Sequence, residues 1–160
     1  MSWASTEGTP SPLGVTWVEE DHAYNFALYS KHAWGVTLLL FAEDDVLTPL
    51  FHYDLNHLRN KSGFVWHCRV RKDRADAARY YAYRVSGPPP TVATEWHRFD
   101  SDKILLDPYA TSVFFLSRSI AMPLRNREAP PERRLSAISV LSNPASTGRA
   151  IAGPSTSRIR

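Results

Sequence analysis

Phe64-Val65-Trp66-His67-Cys68-Arg69-Val70-Arg71 and Tyr80-Tyr81-Ala82-Tyr83-Arg84-Val85-Ser86 are the stretches on which the fold turns. In the first, Phe64, Trp66, Cys68 and Val70 alternate with Val65, His67 and Arg69. In the second, Tyr81, Tyr83 and Val85 alternate with Tyr80, Ala82 and Arg84. A period of two places successive side chains on opposite faces of a strand, so both segments read as half-buried strands. They are expected to pair with each other, over 64–71 and 79–86.

Working outward, Tyr24, Phe26 and Leu28 alternate with Asn25 and Ala27, and Phe51, Tyr53 and Leu55 alternate again. Between them Val36 to Phe41 is a continuous apolar run, as befits a central strand. Turn signals separate these runs: Ser62-Gly63, the charged stretch from Lys72 to Asp76, and Gly87-Pro88-Pro89-Pro90. Consecutive prolines donate no ladder hydrogen bonds, so the last must leave the sheet. Short strands with this punctuation and no β-α-β alternation predict an all-β, immunoglobulin-like β-sandwich over residues 12–112. Residues 1–11 are expected to be a flexible N-terminus.

The remainder is different in kind. All five Trp, seven Tyr and seven Phe lie at or before Phe115. Residues 1–116 carry 11 Lys and Arg against 14 Asp and Glu, whereas residues 117–160 carry 8 against 2. A tail rich in Ser, Pro and Arg buries too little apolar surface to offset an ordering cost of about 1–2 kcal/mol per residue. The segment 113–160 is therefore expected to be a basic, disordered tail, with a marginal helical turn or two at Arg134 to Leu141.

Several function classes find no foothold. The basic excess sits in scattered arginines without aromatic neighbours, which argues against nucleic acid as a partner. No stretch approaches the roughly 18 apolar residues of a membrane span, and the N-terminus has no signal-like core. His22, His32, His52, His57, His67 and His97 form no ligand pair and Cys68 has no CxxC mate, so neither metal nor cofactor is expected. One cysteine excludes an intrachain disulfide and fits a cytoplasmic chain. There is no P-loop, GxGxxG or GxSxG. At 160 residues the chain is also too short to include a (β/α)8 barrel, which takes about 250 residues.

Particular blocks carry a resemblance. Pro12-Leu13-Gly14-Val15-Thr16-Trp17, Asn25-Phe26-Ala27-Leu28-Tyr29-Ser30, Val65-Trp66-His67 and Tyr81-Ala82-Tyr83-Arg84-Val85-Ser86-Gly87-Pro88 occur in that order. His97-Arg98-Phe99-Asp100-Ser101-Asp102-Lys103-Ile104-Leu105-Leu106-Asp107-Pro108-Tyr109-Ala110 follows. Together they resemble the N-terminal module, carbohydrate-binding module family 48, of isoamylase-type glycogen debranching enzymes of glycoside hydrolase family 13. The sequence departs from that family at Asp100, usually Asn, at Ser101, usually Pro, and at Trp96, often Gly. The resemblance implies an immunoglobulin-like module that accompanies a barrel acting on α-1,6 branch points, here cut off before the barrel, with glycogen or another α-glucan and a glycoside hydrolase barrel as partners. An alternative is an orphaned docking domain of a disrupted debranching-enzyme gene, with no ligand of its own.

No catalytic residue is expected. Glycoside hydrolysis needs two carboxyl groups held about 5–10 Å apart across the scissile bond. Asp102 and Asp107 sit in a linker-like segment and read as a solvated carboxylate and an Asp-Pro turn. A glucan chain would need an exposed aromatic platform with polar neighbours. The candidates are Trp34 beside a turn, Trp96 in a loop, and Trp66, Tyr81 and Tyr83 on strands; alternation puts Trp66 and Tyr83 with Cys68 and Val85, on the core side.

Overall fold

A computed structural model describes residues 7–89, 98–121 and 134–142. Among the described residues nine strands build two antiparallel sheets: β1 (Gly14–Val18), β2 (Ala23–Tyr29), β3 (Gly35–Phe41), β4 (Phe51–Asp54), β5 (Lys61–Ser62), β6 (Val65–Arg71), β7 (Tyr80–Ser86), β8 (Val113–Ala121) and β9 (Arg134–Val140). The first sheet has the order β1-β2-β6-β5 and the second β4-β3-β7-β9-β8. The expected all-β sandwich is what the chain forms.

Alternation decides what fills the space between the sheets. Tyr24, Phe26 and Leu28 of β2 and Trp66, Cys68 and Val70 of β6 meet Val36, Leu38 and Leu40 of β3 and Tyr81, Tyr83 and Val85 of β7 in one buried cluster. Phe26 lies edge-on to Tyr81 across the gap, ring centres 5.4 Å apart. Such pairs contribute about 0.5–1.5 kcal/mol beyond the area they bury. The outward residues Leu39, Phe41, Tyr80 and Ala82 form a second cluster with Ile138, flanked by Val46, Ile104, Leu116 and Val140. The second sheet is thus apolar on both faces over part of its length.

The two decisive strands are both present, but they do not pair. β6 pairs with β2 (Phe26↔Cys68) and β5, whereas β7 pairs with β3 (Leu38↔Tyr83) and β9, so the connection from Arg71 to Tyr80 crosses between sheets. The charged stretch expected as a turn contains the four-residue helix α1 (Lys72–Ala75), with Ala75 buried. Phe64, grouped with the core face by alternation, lies before β6 and is exposed.

Of the segment 113–160, expected as a tail, the described parts include the strands β8 and β9. β9 inserts between β7 and β8, with Tyr81↔Ser139 on one side and Phe114↔Ile138 on the other. The segment expected to turn helically is extended, and Ala137, Ile138 and Leu141 are buried. Aliphatic side chains on a strand need no aromatic partner of their own when a neighbouring sheet supplies one. Residues 143–160 lie outside the described residues.

Residues 7–9 of the N-terminal stretch bond to the first sheet. The Thr9 N–H donates to Asn25 Oδ1 at 2.7 Å, and Asn25 Nδ2 donates back to the Thr9 carbonyl at 3.0 Å. His67 Nδ1 lies 2.6 Å from the Glu7 carbonyl and its Nε2 2.9 Å from Ser62 Oγ. Buried polar side chains on the outer face of the first sheet are thereby satisfied by this strap. Gly8 makes the crossing possible: its φ is +71°, and a Cβ there would stand 2.6 Å from the Cys68 carbonyl carbon. Gly8→Ala is expected to lower the unfolding free energy by about 1–3 kcal/mol, read from urea midpoints at unchanged slope.

Candidate functional site

Trp34 stands at the end of the β2–β3 connection, and backbone hydrogen bonds tie that connection to both sheets. The Ser30 N–H donates to the Phe64 carbonyl and the Trp34 N–H to the Ser86 carbonyl, each at 2.8 Å. Lys61 Nζ adds a bond to the Ala33 carbonyl at 3.4 Å, and Ala33 itself is buried. The turn is fixed while the indole is 66% exposed. A turn already fixed in its backbone needs little further ordering when its exposed ring meets a flat apolar face.

The next residue, Gly35, and the Trp34 backbone partner Ser86 both line a polar groove of about 370 Å³, together with Thr37, Asp54, Arg84 and Ser101 among others. Strand register explains the grouping, because Thr37 stands opposite both Asp54 and Arg84 and Gly35 opposite Ser86. The Thr37 hydroxyl donates to Asp54 Oδ1 at 2.5 Å. Arg84 Nε is buried and has no hydrogen-bond partner among the described residues. Donors and acceptors fixed beside a flat ring are what a polyhydroxylated ligand requires.

A second recess, of about 260 Å³, shares Val85 with the groove. Leu28 and Leu105 form apolar wall, and Tyr29, Arg98, Asp100 and Lys103 supply ring and charge. Tyr29 is exposed and packs edge-on against exposed Phe64 at 6.2 Å, with Lys31 Nζ 5.5 Å from the Phe64 ring centre. Tyr29 and Phe64 escaped the platform reading because each sits at a strand end beside a turn residue, Ser30 or Gly63, where alternation no longer assigns a face.

The other candidates fall differently. Trp66 and Tyr83 are each only 1% exposed and belong to the inter-sheet core, so neither can stack on a sugar. Tyr81 is wholly buried, and burial pushes its hydroxyl well above the ordinary phenol range. Trp96 lies outside the described residues. Asp107 opens the expected Asp-Pro turn, its carbonyl accepting from the Ala110 N–H at 3.2 Å, and its carboxylate is buried and accepts from Tyr81 Oη and from the Tyr109 N–H, each at 2.8 Å. Its own N–H donates to Ser139 Oγ at 3.1 Å. Asp102 is exposed, so the two carboxylates share no enclosed site. Among the described residues no cluster of three or more His, Cys, Asp and Glu could hold a metal, and no helix is long and apolar enough to cross a membrane.

The contrast between platform and core gives a direct test. Trp34→Ala should change stability by no more than about 0.5 kcal/mol, whereas Trp66→Ala should cost about 3–5 kcal/mol in chemical denaturation. Cys68 is buried, and desolvation pushes its thiol well above the usual range. A thiol-specific disulfide reagent at mildly alkaline pH is expected to leave it unmodified in the folded chain and to react within minutes once denaturant is added.

Comparison with known proteins matches this architecture. Residues 12–110, more than half of the chain, match the family described as carbohydrate-binding module 48 (isoamylase N-terminal domain). Isoamylase 3, chloroplastic, of Oryza sativa subsp. japonica is 39% identical over 118 residues, covering 71% of this chain and 14% of the relative. The glycogen debranching enzyme of Serratia proteamaculans (strain 568) is 36% identical over 110 residues, covering 68% of this chain and 14% of the relative. The chain thus spans about one seventh of the length of these curated relatives. Among solved structures, the pullulanase SAP of group B Streptococcus in complex with maltotetraose shares the fold at a TM-score of 0.53 and 18% identity, covering 87% of this chain and 15% of that one. With the family matched across the sandwich, the chain belongs to carbohydrate-binding module family 48, the non-catalytic N-terminal domain type of isoamylases and glycogen debranching enzymes.

Proposed function

We propose that this chain is a non-catalytic α-glucan-associated module that holds a glycogen or starch chain against Trp34. The observation that carries the reading is the exposed indole on a turn tied to both sheets, beside the groove of Thr37, Asp54, Arg84 and Ser86. The indole supplies an apolar face for a glucosyl ring, and the groove's donors and acceptors bond its hydroxyls. Membership of a carbohydrate-binding family supports this assignment, and the streptococcal pullulanase that shares the fold was solved with maltotetraose. A single platform with few oriented polar groups corresponds to about 4–6 kcal/mol, or millimolar to tens of micromolar affinity.

We further place the module beside a glycoside hydrolase barrel, as in debranching enzymes acting at α-1,6 linkages. Val113, Phe114 and Phe115 support this: they are exposed on the edge strand β8, which begins just after the family match ends at residue 110. A cytoplasmic location fits the single, buried, free thiol.

Affinity electrophoresis of the full chain in glycogen-containing gels tests the central claim. Retardation is expected for the parent and should fall at least about five-fold in Trp34→Ala, since alanine removes the stacking contact worth about 1 kcal/mol or more. A folded parent that migrates as though no glycogen were present would leave only a docking role.

A further inference from the structure

A third recess lies on the flank of the sandwich, away from the strand ends that present Trp34. β5 pairs with β6 at Lys61↔Trp66 and Ser62↔Val65, so beyond His67 the outer edge of β6 has no neighbouring strand among the described residues. On the facing sheet β4 is likewise an edge strand. The gap between these edges is a groove of about 450 Å³, lined by Phe51, Tyr53, Arg69, Val70, Arg71 and Arg74.

Two kinds of chemistry meet there. Phe51 and Tyr53 are partly buried against the core, and their rings lie near-parallel, at 22° with centres 6.4 Å apart. They form an apolar floor of the kind on which pyranose rings stack. The three arginines form the cationic part. Arg69 is paired with Asp21, Arg71 makes a loose, exposed pair with Asp73 at 3.4 Å, and Arg74 makes no ion pair among the described residues. These guanidiniums gather in a body that is net acidic, since residues 1–116 carry 11 cationic against 14 acidic side chains. Guanidinium matches the geometry of a phosphate oxygen pair better than that of a neutral hydroxyl.

We infer that this groove is a second carbohydrate site, selective for an α-glucan segment that carries a phosphate monoester, with the sugar on Phe51 and Tyr53 and the phosphate held by Arg71 and Arg74. The nature of the sugar rests on the α-glucan reading above; the charge of its substituent rests on the groove alone. Binding a phosphate here exchanges the loose Asp73 partner of Arg71 for a dianion and gives Arg74 a counter-charge. The Trp34 site would then bind unmodified chain and the flank groove a modified residue.

Isothermal titration of the full chain with maltoheptaose, with maltoheptaose carrying one glucosyl 6-phosphate, and with inorganic phosphate tests the inference. The phosphorylated oligosaccharide is expected to bind about ten-fold more tightly than the neutral one, a preference that shrinks as salt is raised. Arg74→Ala and Arg71→Ala, both at exposed residues, should reduce that preference several-fold while leaving neutral binding at the parental value. Trp34→Ala should weaken the neutral ligand and keep the preference. Equal affinity for the two oligosaccharides, or a preference unchanged in the doubly substituted chain, overturns the flank site and leaves the Trp34 site standing. Displacement by inorganic phosphate at equal concentration overturns it too, by showing a simple anion site. Phosphate-dependent binding lost in Arg74→Ala, together with neutral binding that Trp34→Ala leaves unchanged, would uphold the flank site and overturn the platform.

Discussion

Phe26 and Tyr81 are the point at which the two sheets become one structure. Their rings meet edge to face between β2 and β7, and the Tyr81 hydroxyl then reaches the buried Asp107 carboxylate. Asp107 in turn holds Tyr109 and, through its own amide, Ser139 of β9. One aromatic contact therefore leads into a polar chain that fastens the segment after Lys103 and the late strand β9 to the same core. Removing a partner from such a buried network leaves polar groups unsatisfied, which costs more than the bond itself contributes.

This arrangement accounts for the division between what the sequence reveals and what it hides. Alternation along Tyr24–Leu28, Trp66–Val70 and Tyr81–Val85 is a property of each strand alone, so the strands and their buried faces are legible. Pairing is not, because both β6 and β7 find better neighbours elsewhere and the Arg71–Tyr80 connection is long enough to change sheets. The late strands are hidden for a related reason. Ile138 and Leu141 are too few to suggest a core by themselves, and their burial depends on Tyr80, Phe41 and Tyr81 contributed from far earlier in the chain. At Asp107 the turn is legible but the burial is not, because nothing local shows that Tyr81 and Ser139 will close over it.

The candidate glucan surface is partly legible. A Trp next to a turn stands out, and alternation correctly sends Trp66 and Tyr83 inward. The polar groove beside Trp34 does not stand out, since Thr37, Asp54, Arg84 and Ser86 come from three strands and meet only through register. The flank groove is less visible still, because it exists only where β5 stops short and exposes the gap between two edges.

The pairing of β9 has a consequence for how the molecule opens. β9 meets β7 through only two registered pairs, Tyr80↔Val140 and Tyr81↔Ser139, but meets β8 through five. β8 and β9 thus form a ladder more strongly joined within itself than to the rest of the sheet. Cooperative units of this kind open below the global unfolding free energy. A transient release of this pair would uncover the outward apolar residues Leu39, Phe41 and Tyr80 while the inter-sheet core around Phe26 stays closed. The strand edge of β7 bared by such a release would be the natural place for another chain to add a strand.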